Sequence, residues 1–348
     1  MELKLVEDMK SQEWRTLASK PEFKLDEFYD YLSKYNNYFN DNYGIRNILY
    51  SINARIKYLY FHKSPLPNKV ILGRNNWLFL SPDMDVTISD RIDYLDDKFY
   101  KILEDSLVSK TVQFKNLGIK YLVILTPEKS YTYGELLPDN FNGVRTKARF
   151  DTLIQRLKSN PNLHIISLNE ALLEAKKKDT IGLQYDTHWN GIGAFAAYKH
   201  MMLELKKVYP NVPLRNANDY EKKCVVYKWG DLANQIGIAE FISAKECKFN
   251  YIGKGAIEDT TLLSVKSTLS YSYTNKANED MLDVLFLHDS YGASFLPWMI
   301  NDFHSLHSLR MENFSFNPAS FTQAGPKVII HQMVPRHTPM FGLLSNGH

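Results

Sequence analysis

Four short apolar runs, set between stretches of helical character, constrain the fold of this 348-residue chain more than any other feature. Lys120 to Thr126 (KYLVILT), His164 to Leu168, Val284 to Leu287 and Val328 to His331 have the length and continuity of strands buried on both faces. A helix from about Asp96 to Leu117 precedes the first run and ends at Gly118, a natural C-cap. Thr146 to Ser159 is amphipathic, Gly193 to Val208 is helical and stopped by Pro210, and a further helix starts near Gly292. Strands alternating with helices imply an α/β fold, a mostly parallel sheet with helices on both faces. Active sites of such sheets lie beyond the carboxyl ends of the strands, so residues just after the apolar runs should carry the chemistry.

The rest of the chain is arranged around this core. The first sixty residues read as helices with aromatic residues at helical spacing: Phe23, Phe28, Tyr31, Tyr35, Tyr38 and Phe39. Ser64-Pro65-Leu66-Pro67 ends that pattern. Val70 to Gly73 and Trp77 to Leu80 then read as a hairpin turning at Arg74-Asn75-Asn76. Short β-like stretches fill Pro213 to Asn278, among them Cys224–Trp229 and Thr261–Leu269. The expected organisation is an N-terminal helical segment, 1–65, packed on a main domain, 66–348, which carries a β-rich insertion at about 213–278.

Composition removes several function classes. A formal net charge of +3 is too small to imply nucleic acid. Lys176, Lys177 and Lys178 read as a solvated helix end. The 22 Tyr and 19 Phe suit a well-packed core before they suit a carbohydrate surface. Cys224 and Cys247 lack C-x-x-C spacing, which argues against a cysteine zinc site. Whether they pair stays open, since pairing depends on the compartment. No signal peptide is read at Met1, and no apolar run approaches the ~18–20 residues that span a bilayer, so the sequence as given reads as soluble.

Two segments stand where the architecture wants chemistry. Leu287-His288-Asp289-Ser290-Tyr291-Gly292 follows the third strand, and a serine at a strand-to-helix turn is presented above the sheet beside backbone N–H groups that can hold an oxyanion. Tyr185-Asp186-Thr187-His188-Trp189-Asn190 precedes a helix, and Asp and His two apart can project from one loop. Asp186 would fix the tautomer of His188, and His188 would deprotonate Ser290, whose hydroxyl is a weak nucleophile unaided. Each segment also has a plain structural reading. Asp-Ser after a strand is a common helix N-cap. Asp-x-His could be a surface turn or two metal ligands, with His288, Asp289, His331 and His337 as candidate partners.

Asp186-Thr187-His188-Trp189-Asn190-Gly191 closely resembles the D-x-H-W motif of the alginate O-acetyltransferase (AlgJ- and AlgX-like) family, SGNH-hydrolase-like enzymes of bacterial exopolysaccharide acetylation. His288-Asp289-Ser290-Tyr291 is similar to the superfamily's G-D-S-[LFY] segment, with His288 in place of glycine. VILGRNNWLFL resembles a V-x-x-G-x-x-G-W-L-F segment, with Asn76 in place of a glycine. Thr126-Pro127-Glu128-Lys129 with Tyr133 and Pro138, and Gly230-Asp231-Leu232-Ala233, extend the likeness over about residues 40–336. Ordinary SGNH hydrolases have the serine early and Asp-x-x-His late. Here the order is permuted, as in the acetyltransferases, with Asp-x-His about a hundred residues ahead of Ser290. Near the end, His331-Gln332-Met333-Val334-Pro335-Arg336 keeps the family's arginine but has Pro335 where an acidic residue is usual.

The resemblance implies a polysaccharide O-acetyltransferase with the catalytic triad Ser290, His188 and Asp186. Lys129, Trp189, Asn190, Tyr291, Gln332 and Arg336 become candidates for substrate or oxyanion contacts. No metal and no dissociable cofactor is implied. The acetyl group would arrive through a membrane-bound O-acyltransferase partner, and the protein would work in the periplasm or on the outer face of the membrane, with any anchor outside this chain. The rival readings are an acetylesterase with the same triad, a non-catalytic polysaccharide-binding scaffold and, more distantly, a zinc enzyme.

Overall fold

The computed structural model describes residues 17–82, 97–141, 143–215, 217–252, 257–258, 270–310 and 325–337. Helices α1 (Phe28–Asn42) and α2 (Arg46–Leu59) lead into a hairpin of β1 (Val70–Leu72) and β2 (Leu78–Leu80). Its turn holds Asn75 and Asn76 at φ 53° and 60°. Asparagine tolerates that left-handed region better than most side chains, which is why it can stand where the resembled motif has glycine. Next come α3 (Asp97–Asn116), β3 (Lys120–Leu125), α4 (Lys129–Thr132), α5 (Gly143–Ser159), β4 (Ile165–Ser167), α6 (Asn169–Lys176) and α7 (Gly191–Val208). A second hairpin, β5 (Tyr220–Tyr227) and β6 (Ala244–Tyr251), brackets α8 (Asp231–Gln235). β7 (Ile257–Glu258), β8 (Ser270–Thr274), β9 (Asp283–His288), α9 (Leu296–Met299), β10 (Ser305–Arg310) and β11 (Val328–Met333) complete the order.

Seven strands form one sheet in the order β4-β3-β11-β9-β10-β8-β7. The first five run parallel, and β8 and β7 add antiparallel at one edge. Alternate residues of each apolar run face opposite sides. Leu122, Ile124, Phe286 and Ile330 pack with Phe195, Tyr198 and Met201 of α7. Tyr121, Val123, Leu285 and Ile329 pack with Leu103, Leu107 and Phe114 of α3 and with Phe150 and Leu153 of α5. The fold is thus the α/β one expected, mostly parallel with helices on both faces.

Two regions differ in detail from the sequence reading. β10 (SLHSLR) has no apolar run, yet His307 and Ser308 are buried in it, satisfied by Ser272 at 3.0 Å and by His288 at 2.8 Å. The β-rich segment at about 213–278 is not one unit. β5 and β6 form a separate hairpin joined by a Cys224–Cys247 disulfide, whereas β7 and β8 belong to the main sheet. The stretch Thr261–Leu269, read as β, lies outside the described residues. Within 1–65, α2 docks through Ala54 and Tyr58, with the Tyr50 hydroxyl donating to the Gln235 carbonyl at 3.0 Å. α1 buries none of its residues.

Candidate active site

The turn after β9 is built by Asp289. Its buried carboxylate accepts from the N–H of Tyr291 at 2.9 Å, from the N–H of Val334 at 2.8 Å and from His337 Nδ1 at 3.2 Å. Burial pushes this carboxyl up, but the hydrogen bond and charge of His337, the charge of Arg336 and the Val334 N–H outweigh it and hold it below the usual range. His288 Nδ1 donates to the Asp289 carbonyl at 2.6 Å, which leaves Nε2 to accept from Ser308 at 2.8 Å. Gly292 folds so close to β9 that a Cβ there would lie 2.4 Å from the His288 side chain. Ser290 therefore sits at the tip of an Asx turn, half-buried. The 3-10 helix Gly292–Phe295 has no side-chain cap, and Ser290 makes no hydrogen bond among the described residues. Its hydroxyl is not a helix cap.

The Asp186–His188 loop is held from three sides. Across its base, the Leu183 N–H donates to the His188 carbonyl at 3.0 Å and the Asn190 N–H to Ile181 at 2.9 Å. From one flank, the Asp231 N–H donates to Asp186 Oδ2 at 2.9 Å, while the Asp231 carboxylate accepts from the Thr187 N–H at 2.7 Å and from the Thr187 hydroxyl. Gly230 is what lets this segment in, since a Cβ there would stand 2.2 Å from the Tyr185 carbonyl oxygen. From beneath, the buried Lys129 ammonium donates to the carbonyls of Leu78, Leu183, Gln184 and Asp186 at 2.6–3.0 Å. Burial pushes its pKa down to about 7 against the charges of Asp186 and Asp231. Four carbonyl acceptors favour the protonated form, which alone has three donors.

His188 Nδ1 lies 2.6 Å from Asp186 Oδ1, and the same oxygen accepts the His188 N–H at 3.0 Å. That pairing puts the proton on Nδ1 and leaves Nε2 as a base. Nε2 is buried and has no hydrogen-bond partner among the described residues. The His188 ring packs 4.7 Å from the ring of Tyr291, the residue that follows Ser290. Ser290 and His188 are thus brought to one end of the sheet but are not hydrogen bonded to each other, a bond that unliganded sites often complete only with substrate. The two carboxylates have split. Burial raises Asp186, but the hydrogen bond and charge of His188 and the N–H groups of Asp231 and His188 bring it below its ordinary value. Burial and the Asp186 charge raise Asp231.

The other candidate residues are engaged in structural contacts. Asn190 caps α7, accepting from the N–H groups of Ile192 and Gly193 and donating to the Thr180 carbonyl at 2.6 Å. Gln332 accepts from the Asp289 N–H at 3.2 Å and donates to Thr126 at 2.9 Å. Arg336 pairs with Glu128 and lies 5.5 Å over the Tyr291 ring. The Tyr291 hydroxyl donates to the Thr187 carbonyl, tying the serine turn to the histidine loop. Trp189 is buried against Tyr291 and Phe295. Lys129, His188, Trp189 and Tyr291 line a small open cleft whose other walls include Pro127, Tyr133, Leu172 and Ile181.

Asp231 is the residue that the sequence reading did not assign a role, although Gly230-Asp231-Leu232-Ala233 stood out as a motif. Asp186, His188 and Asp231 each offer one ligand atom, all within 4.8 Å of one another, which is a metal-like spacing. Both carboxylates already accept N–H and O–H donors, however, as befits a positioned imidazole more than a metal cage. His288, Asp289 and His337, named as further ligands, are bonded elsewhere, and His331 pairs with Tyr121.

The model of the SGNH hydrolase-like domain of the acetyltransferase AlgX matches residues 70–258, more than half of the chain. That span holds Asp186, His188 and Asp231 and ends before Ser290. Similar solved structures include Bacillus cereus PatB1, with a TM-score of 0.58 and 15% identity over 78% of this chain and 97% of that one. A DHHW family protein from Eubacterium siraeum gives 0.54 and 14% over 70% and 88%. The O-acetyltransferase domain of Pseudomonas putida AlgJ gives 0.50 and 15% over 80% and 99%. At these identities the likeness is one of fold. A search of curated proteins gave no match. On the family match over β1 to β7, with the fold and the Asp-x-His loop behind it, this chain belongs to the AlgX family of SGNH hydrolase-like acetyltransferase domains.

Proposed function

We propose that the protein transfers acetyl groups to hydroxyls of a bacterial polysaccharide through an acetyl-Ser290 intermediate. The observation that carries this reading is the buried, unpartnered Nε2 of His188, fixed by Asp186 and packed beside the Ser290 turn. Ser290 Oγ attacks the acetyl carbonyl of the donor while His188 Nε2 takes its proton, and Asp186 stabilises the imidazolium. The Ser290 N–H, which donates to no other described residue, is the candidate oxyanion donor. Collapse releases the donor's leaving group with the proton from His188. A sugar hydroxyl then gives its proton to His188 and attacks the acetyl ester, and Ser290 recovers its proton as the product leaves. No step calls for a metal or a dissociable cofactor.

The setting follows from the same reading. The Cys224–Cys247 disulfide suits an oxidising compartment, the periplasm or the outer face of the membrane. No helix among the described residues is long and apolar enough to cross a membrane. By the resemblance to the alginate O-acetyltransferases, a membrane-bound O-acyltransferase partner would deliver the acetyl group. Tyr291 and Trp189 would wall the acyl site. The test is acetyl transfer from an activated acetyl ester with and without acetyl-free oligosaccharides. Acetylated oligosaccharide that depends on Ser290 supports the transferase. Release to water unaffected by any acceptor makes the protein an esterase, and glycan binding without turnover makes it a scaffold.

A further inference from the structure

We infer, resting on the role of His188 as the base for Ser290, that Asp231 is a second positioning carboxylate for the imidazole and acts through the Thr187 hydroxyl. That hydroxyl donates its single proton to Asp231 Oδ2. Towards His188 Nδ1, 3.2 Å away, Thr187 Oγ1 therefore has only lone pairs to offer. Nδ1 carries a proton, since Asp186 Oδ1 accepts from it at 2.6 Å. The Nδ1–H thus faces two acceptors. One is a carboxylate in direct contact, and the other is a hydroxyl polarised by a carboxylate behind it. Asp231 Oδ2 itself lies 3.8 Å from Nδ1.

A plain brace for the loop would need less. Asp231 Oδ1 alone takes the backbone N–H groups of Thr187 at 2.7 Å and Leu232 at 2.6 Å. Oδ2 is left for the hydroxyl and the edge of the ring. Burial and the Asp186 charge raise the Asp231 pKa, while the three donors work the other way and favour its ionised form. When His188 takes the serine proton, the imidazolium gains from both negative charges, which the neutral ring does not. The contribution therefore falls on kcat and not on KM. The remaining charges around the ring belong to other elements. Lys129 lies beneath the loop, Arg336 and Glu128 act on Tyr291 from behind, and Tyr227 neighbours Asp186.

Two variants separate this role from bracing. Asp231→Asn removes the charge. Thr187→Val removes the hydroxyl alone and keeps the backbone N–H on Asp231, so it decides the matter if Asp231→Asn fails to fold. The readouts are the NMR titration of the His188 ring protons in the resting protein and the pH profile of kcat for 4-nitrophenyl acetate. In Asp231→Asn the ring should titrate about one pH unit lower, as expected for a lost opposite charge at this distance. Thr187→Val should shift it in the same direction, and the acid limb of kcat should follow in both. In Thr187→Val kcat should fall about three- to tenfold at unchanged KM, the worth of one hydrogen bond, and Thr187→Ser should restore it to within about twofold. A His188 ring that titrates as in wild type in the folded variants overturns the inference and leaves Asp231 a brace. So does a Thr187→Ser protein as impaired as Thr187→Val. A ring that follows Asp231 in a protein whose Ser290 proves inert would strike the acyl-transfer reading and leave the second carboxylate standing.

Discussion

Gly230→Ala is the perturbation whose effect follows most directly from the geometry. The added methyl would stand 2.2 Å from the Tyr185 carbonyl oxygen and 2.7 Å from its carbon, both backbone atoms. The backbone at Gly230 is extended, with φ 173°, so alanine brings no torsional strain and the clash is the whole effect. To reach ordinary van der Waals contact the two segments must part by on the order of 1 Å. The Asp231 N–H, now 2.9 Å from Asp186 Oδ2, would then be about 3.9 Å away, beyond hydrogen-bond range. Asp186 would lose the contact that fixes its second oxygen, and His188 would turn with it. Overpacking of this kind costs about 1–3 kcal/mol in stability. A 1 Å misplacement of a catalytic group costs on the order of 10²-fold in rate. The assay is kcat and KM for 4-nitrophenyl acetate alongside thermal unfolding, with the loss expected in kcat. Activity within about twofold of wild type, at an unchanged Tm, would refute the claim that the Asp231 segment holds the histidine loop.

Other contacts carry their own expectations. Lys129→Met keeps the side-chain volume but leaves four carbonyls without their donor, and should cost about 3–5 kcal/mol in chemical denaturation. A loss below about 1 kcal/mol would mean that the ammonium is not what ties the loop to the hairpin. Cys224→Ser with Cys247→Ser opens a link across 23 residues of sequence separation, worth about 3 kcal/mol, and should lower Tm without abolishing esterase activity. Asp289 is held below its ordinary value, so its contribution to stability is complete above about pH 4, the unfolded value, and is lost as pH falls through the folded one. The stability gap between wild type and Asp289→Asn in urea should therefore narrow below about pH 4, and a gap that stays constant with pH would contradict the role of the ion pair with His337.

Legibility in the sequence tracked how local each signal was. β3, β9 and β11 were readable because both faces are buried and each holds a continuous apolar run, Tyr121–Leu125, Val284–Leu287 and Val328–Ile330, whereas β10 was not, because His307 and Ser308 take their hydrogen bonds from strands on either side. That the Ser290 turn and the Asp186–His188 loop meet at one end of the sheet was readable from two short motifs in the right places along the chain. The roles of Lys129, Asn190, Gln332 and Arg336 were not, since a charged or amide side chain looks the same whether it meets substrate or a buried carbonyl. Asp231 acts on a loop about forty-five residues away through a backbone N–H, which no local pattern reveals. The disulfide was equally hidden until β5 and β6 paired and set Cys224 opposite Cys247.

The central claim is that Ser290 carries the acetyl group. Mass spectrometry of the protein quenched during turnover of 4-nitrophenyl acetate, with peptide mapping, measures it directly. The account predicts an acetyl adduct on Ser290 that disappears in Ser290→Ala and accumulates when His188→Ala blocks its discharge after slow loading. An adduct on another residue, or turnover that survives Ser290→Ala at the wild-type rate, would contradict it.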